Sequence, residues 1–177
     1  MATTSKQPKL TFEISIDLTK EETLFDHLPD EIQLKIFKFL GIEDIINCAQ
    51  VSRRTKKKSC NDESIWEKIN LCNKVVPSQF IDQILQKGCK YINLESSEIV
   101  GPLKLSRNDY NVKYLNLGHC DAGPGVLEKL ISSCQLIQKL PLCNLELNSN
   151  AVKSLSHQKL QTLDLNAFKG INLELMF

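Results

Sequence analysis

Apolar residues fall into two regimes along this chain. Between positions 25 and 64 they recur at helical spacing; from position 65 onwards they form short alternating pairs at a long, fixed interval. In the first regime Pro29 stands where a helix begins, a place that suits a residue without an N–H to satisfy. Asp30 and Glu31 follow in the first turn, where negative charge complements the helix dipole. Ile32, Ile36, Phe39 and Leu40 then repeat with helical period, and Gly41 stops the helix. A second helix is expected from about Glu43 to Val51, burying Ile45, Ile46 and Ala49 with Cys48 beside them, and a third from about Ser52 to Cys60. Three short helices make a small core to which Phe25, Leu28 and Phe37 look surplus. Surplus apolar groups at a helix start point to a partner surface.

The second regime is a repeat. Apolar-x-apolar pairs occur at Ile69/Leu71, Ile92/Leu94, Leu115/Leu117, Leu140/Leu142 and Leu163/Leu165, with successive spacings of 23, 23, 25 and 23 residues. Trp66, Cys89, Val112, Ile137 and Leu160 stand three positions before each pair. Helical patterns lie between some of them: Phe80, Ile81, Ile84 and Leu85; Val126, Leu127, Leu130 and Ile131; Val152 and Leu155. This period and pattern form a leucine-rich-repeat signature, in which a short strand and a helix cannot bury their apolar face alone and must stack. The expectation is an α/β fold: a curved parallel sheet of about five strands with outer helices. Alternation along each strand turns the pair residues inward and their neighbours outward. The outward set includes Lys68, Asn70, Tyr91, Asn93, Tyr114, Asn116, Lys139, Thr162 and Asp164. Tyr91, Asn93, Tyr114, Asn116, Lys139 and Asp164 are the candidate substrate face, set against the alternative of a merely solvated surface. Pro141 interrupts this pattern, because it removes a ladder hydrogen bond from a central strand.

Residues 1–24 are polar apart from a weak alternation at Phe12, Ile14, Ile16 and Leu18, and read as a disordered arm. The division is thus 1–24 arm, 25–64 helices and 65–177 repeats. The start of the chain lacks the apolar stretch of a secretory signal, and no run reaches the length of a membrane span. A net charge of +1 exerts no global pull on nucleic acid or membrane, so any binding surface is local. Seven cysteines spread through apolar segments fit reduced, buried thiols better than a disulfide framework, and point to nucleus or cytoplasm.

Little in the sequence carries chemistry of its own. No C-x-x-C occurs, and His27, His119 and His157 lie in different units, so neither a metal nor another cofactor is expected. Phosphate-cradling glycine motifs are absent too; Gly118, Gly123 and Gly125 surround Pro124 in a connection. Nothing in the sequence orients Cys120 and His157 as a nucleophile and base. Arg53-Arg54-Thr55-Lys56-Lys57-Lys58 reads as a solvated helix face, a nuclear-import sequence or a phosphate-contact patch.

Leu28-Pro29-x-Glu31-Ile32, Ile36-Phe37, Leu40, Asp44-Ile45, Val51-Ser52-Arg53 and Asp62-Glu63-Ser64-Ile65-Trp66, running into Ile69-x-Leu71, together resemble an F-box. The stretch from Phe25 to about Phe168 resembles the F-box/leucine-rich-repeat class, and within it the S-phase kinase-associated substrate-receptor branch of SCF-type ubiquitin ligases. Two departures stand out. Thr55 occupies the place of a usual tryptophan, and members of the class usually carry more repeats. The second departure reads as a shortened C-terminus, from a truncated isoform or an incomplete gene model.

The resemblance implies a non-catalytic adaptor in proteasomal degradation and the cell cycle. Its F-box binds a linker subunit and, through it, cullin and RING subunits, while the repeats hold a protein target. By the family pattern Leu28, Pro29 and Ile32 are the first linker contacts, with Phe25, Ile36, Phe37, Leu40 and Val51 behind them. The alternatives are a short decoy that sequesters the linker, or a leucine-rich scaffold unrelated to ubiquitin.

Overall fold

The computed structural model describes residues 24–51, 62–145, 155, 160–164 and 166. The expected arm at 1–24 (apart from Leu24), the third helix and the Arg53–Lys58 cluster with Thr55 lie outside the described residues, as does His157.

A 3-10 turn, Leu24–His27, leads into α1, Asp30–Phe37, and α2, Ile42–Val51. Pro29 is extended at the N-cap (φ −53°, ψ 146°), one residue earlier than the pattern suggests. Helix α1 ends at Phe37 rather than running on to Gly41, whose carbonyl instead accepts from the Ile45 N–H at the start of α2. A short helix α3, Glu63–Trp66, is capped by the Asp62 carboxylate, which accepts from the Ser64 N–H at 2.9 Å. Then come β1 (Lys68–Asn70), β2 (Val75–Pro77), α4 (Ser78–Gln86), β3 (Tyr91–Asn93), β4 (Glu98–Val100), β5 (Tyr114–Asn116), β6 (Asp121–Ala122), α5 (Val126–Ser132), β7 (Lys139–Pro141) and β8 (Thr162–Asp164).

The strands form two parallel sheets, one in the order β1-β3-β5-β7-β8 and one in the order β2-β4-β6. The fold is therefore mixed α/β, with neighbours in each sheet one repeat apart. Lys68, Tyr91 and Tyr114 stand in register, as do Ile69, Ile92 and Leu115, and Asn70, Asn93 and Asn116. Strands of three residues make few bonds each, but the ladder continues past their ends. The Leu71, Leu94, Leu117 and Leu142 N–H groups donate to the carbonyls of Asn93, Asn116, Pro141 and Asp164. Pro141 confines the β5–β7 pairing to Tyr114 opposite Lys139, yet its carbonyl still accepts from Leu117 at 3.0 Å, so the stack is unbroken.

The core sits between the two sheets and the helices. Ile69, Leu71, Ile92, Leu94, Leu115, Leu117, Leu140 and Leu142 are buried in it, together with Trp66, Cys89, Val112 and Ile137. Phe37, Ile42, Ile45, Ile46 and Ala49 of the helical part belong to the same apolar cluster. Lys87 covers the Trp66 ring at 4.9 Å, and an ion pair between Glu43 of α2 and Lys74 after β1 ties the two parts together at the surface.

Four of the five strands of the larger sheet, all but β7, end in the same side-chain-closed turn. Asn70, Asn93, Asn116 and Asp164 accept, through their side-chain oxygens, from the N–H two residues on, at 3.0–3.1 Å. The third residue after Asn70, Asn93, Asn116 and Pro141 is left-handed: Asn73, Ser96, His119 and Asn144 have φ between 54° and 58°. Asparagine suits this place because its short side chain closes a turn on its own backbone.

No helix separates β4 from β5. In its place the segment 101–113 buries Leu103 and Tyr110, held by the buried Asp82 of α4. That carboxylate accepts from the Ser106 N–H (3.0 Å), the Ser106 hydroxyl (2.7 Å), the Tyr110 hydroxyl (2.7 Å) and Gln86 Nε2 (2.6 Å). Burial raises the Asp82 pKa, but these bonds outweigh it and hold the carboxyl below its usual value. Burial and the Asp82 bond push the Tyr110 phenol up.

Two outcomes follow for stability. Asp82→Ala costs about 2 kcal/mol in urea unfolding, since it strands several donors. A depressed folded pKa stabilises above the unfolded value near 3.9 and is lost as pH falls through the folded one, so wild type loses this increment below about pH 4 while Asp82→Asn shows none of it. Asn116→Ala, which leaves the Gly118 N–H without its acceptor in a buried turn, costs about 1–2 kcal/mol by the same measurement, and Asn70→Ala at an exposed turn costs about half that.

Candidate functional site

Two surfaces gather the residues singled out from the sequence. The first lies on α1. Helical spacing is shared by two faces of this helix, and the core takes the one with Gln33 and Phe37, both fully buried. Phe37 is thus a core residue rather than a contact residue, and it meets the half-buried Phe25 edge to face, with ring centroids 5.5 Å apart. Gln33 donates from Nε2 to the carbonyls of Phe25 (2.9 Å) and Leu28 (2.8 Å). These bonds pin the entry segment against the helix and fix where half-buried Leu28 and exposed Pro29 stand.

The flank of α1 beside this buried face is partly open. Ile32 and Ile36 are 40% and 37% exposed, and Phe39, just past the helix, is 90% exposed. Ile32 and Ile36 stand at i and i+4 on α1, and Phe39 follows them in the turn after it. Leu40 is half-buried against the core, and the side chain of Val51 lies outside the described residues. Phe39 shares the helical spacing of Ile32, Ile36 and Leu40, and spacing alone does not separate the two faces. A cleft of about 320 Å³ lies beside this region, between Phe37, Leu40, Gly41 and Ile45 on one side and Ile65, Lys68, Ile69 and Asn70 on the other.

The second surface is the outer face of the five-stranded sheet. Lys68, Tyr91, Tyr114, Lys139 and Thr162 share its first row, from exposed Lys68 and Lys139 to half-buried Tyr114. The Lys68 ammonium lies 5.2 Å from the Tyr91 ring centroid. The second row holds Asn70, Asn93, Asn116, Pro141 and Asp164. Asn116 is not part of an open face: it is only 8% exposed, its Oδ1 closes the turn at Gly118, and its Nδ2 donates to Glu95 at 3.3 Å. Gly118 is buried as well. The side-chain oxygens of Asn93 and Asp164 are likewise engaged in turns. Three of the six residues that the sequence offered for binding, Asn93, Asn116 and Asp164, are therefore turn-closing groups.

The thiols are placed for packing. Burial pushes Cys89, Cys120 and Cys134 up to about 12, far from the thiolate needed of a nucleophile. The half-buried Cys143 is raised by its partial desolvation and then by Asp164. The six described cysteines are free, and no cluster of His, Cys, Asp and Glu suited to a metal occurs among the described residues.

Residues 25–72 match the F-box-like family model, a range that runs from Phe25 through α3 and β1. Cell division control protein 4 of Saccharomyces cerevisiae is 34% identical over 98 residues, 52% of this chain and 13% of that protein. Putative F-box/LRR-repeat protein 21 of Arabidopsis thaliana is 28% identical over 162 residues, 84% of this chain and 52% of that protein. The chain spans about half the length of the plant relative and a smaller part of the yeast one. Residues 25–72 are thus similar to the F-box-like family, and the chain is similar to these two proteins.

Proposed function

We propose that this chain is a target-recognition adaptor of an SCF-type cullin–RING ubiquitin ligase. Its F-box-like domain docks on the linker subunit, and the outer face of the five-stranded sheet receives the protein target. The observation that carries this reading is the apolar patch of Ile32, Ile36 and Phe39, left uncovered within the F-box-like range beside Leu28 and Pro29. A solvated surface has no use for two apolar helix residues with an exposed phenylalanine just past them, whereas a partner groove takes up such a patch directly.

The period of 23 to 25 residues, the parallel strands and the recurrent strand-end turns support a leucine-rich-repeat solenoid for the second part. The capped Asp62-to-Trp66 joint supports the S-phase kinase-associated branch of that class. The nucleus or cytoplasm, where such ligases act, is the expected place. The mechanism is one of proximity. The adaptor supplies no nucleophile; it holds a target lysine near a ubiquitin thioester carried elsewhere on the assembly and so raises its effective concentration.

Capture of purified linker subunit by the full chain tests this. Ile36→Asp with Phe39→Asp loses about 2 kcal/mol or more of linker binding, roughly 30-fold in Kd, and Leu28→Ala with Pro29→Ala loses a similar amount. Circular dichroism of the first variant, in which Phe39 is 90% and Ile36 37% exposed, checks that the fold is retained. Undiminished capture by both variants would reject the docking surface.

A further inference from the structure

We propose that the first row of the five-stranded sheet, Lys68–Tyr91–Tyr114–Lys139, is a track for an extended acidic peptide segment of the protein target. The inference rests on the adaptor reading above and specifies the chemistry of what its sheet face takes.

The strand register sets the two lysines at the ends of the row and the two tyrosines between them. No carboxylate belongs to this row, and no ion pair of Lys68 or Lys139 exists among the described residues. The acidic groups of the same face stand further along the strands and are already occupied. Glu95 accepts from Asn116 Nδ2, and Asp164 accepts from the Asn166 N–H. Glu95 stands in the turn past β3, its carboxylate drawn to Asn116 in the second row, about 7 Å along the strand direction from the tyrosines. The face thus has its lysines in one row and its carboxylates, each already hydrogen-bonded, at the next, an order that favours an occupant whose own carboxylates lie along the first row.

Distance agrees with charge. Neighbouring strands are about 4.8 Å apart, so three steps carry the row about 14 Å from Lys68 to Lys139. An extended peptide of about five residues covers that length, with a carboxylate near each lysine and an apolar or aromatic residue over the rings. The tyrosines add contact area at small entropic cost, and Lys68 already holds Tyr91 in place through its ammonium. The row contains no arginine, whose fork suits phosphate, and a chain of net charge +1 sets up no wide field for a polynucleotide. A carboxylate-bearing protein segment fits better than a nucleic acid.

Fluorescence anisotropy on the full chain tests the proposal. The probe is a labelled twelve-residue peptide alternating Glu and Asp with Phe. Its counterparts are the same peptide with the carboxylates replaced by Gln and Asn, and an oligouridine of equal charge. Wild type binds the acidic peptide at least about tenfold tighter than the amide form, and the preference shrinks as salt rises from about 50 to about 200 mM. Lys68→Glu with Lys139→Glu removes the preference. Lys68→Ala with Lys139→Ala, which introduces no new charge, weakens binding severalfold, and Lys139→Glu alone, outside residues 25–72, captures the linker as wild type does. Equal binding of acidic and amide peptides, indifference to both double variants, or tighter binding of oligouridine would each overturn it, the last in favour of nucleic acid. Linker capture is read separately, so a wild-type chain that fails to hold the linker sinks the adaptor reading while the anisotropy still decides the track.

Discussion

Everything in the second part of the molecule hangs on one constraint: no unit can bury its own leucines. A strand of three residues has a single inward side chain at its centre, and its backbone groups find partners only one repeat away. The ladder from Leu71 to Asn93, Leu94 to Asn116, Leu117 to Pro141 and Leu142 to Asp164 therefore does two jobs. It satisfies buried backbone, which would otherwise carry a heavy desolvation cost, and it stacks equivalent side chains into rows. The binding potential of the outer face follows from that stacking, because a row of lysines and tyrosines separated by a whole repeat in sequence becomes contiguous only through it.

The same constraint explains the strand ends. A parallel stack requires the chain to leave each strand in the same direction at the same height, and the left-handed residues Asn73, Ser96, His119 and Asn144 provide that exit. The side chains of Asn70, Asn93 and Asn116 lock it. Where a repeat lacks its helix, between β4 and β5, a different device serves. Asp82 gathers four hydrogen bonds from Ser106, Tyr110 and Gln86, so a polar network does locally what helix packing does elsewhere.

These features were legible in the sequence to unequal degrees. The inward residues of the first four strands were readable because two independent signals, a period of two within the strand and a period near 23 along the chain, select the same positions. The faces of α1 were not, because one signal served two answers. Ile32 and Ile36 are spaced like Gln33 and Phe37, and a glutamine in the inward stripe disguises the buried side. What decides is tertiary: Gln33 finds the Phe25 and Leu28 carbonyls and is satisfied inside, which releases both isoleucines to solvent. The asparagine row misled for a related reason. Strand alternation says correctly that these side chains leave the core, but it cannot say that their oxygens turn back onto the N–H two residues ahead.

The junction between the two parts bears on how an adaptor of this kind would work. Tethering raises an effective concentration only when the linkage holds two sites at a usable separation, and a loose joint spreads the same molecules over a larger volume. Here the helical part contributes Phe37, Ile42, Ile45, Ile46 and Ala49 to the apolar cluster that also contains Trp66, Ile69 and Leu71. The Glu43–Lys74 pair and the Lys87 ammonium over Trp66 close the seam from outside. A shared core resists bending far better than a linker, because moving one part against the other exposes packed apolar surface. The α1 patch and the sheet face are thereby held in fixed relation by the same burial that folds the first repeat. In an adaptor, that relation governs which lysines of a bound target come within reach.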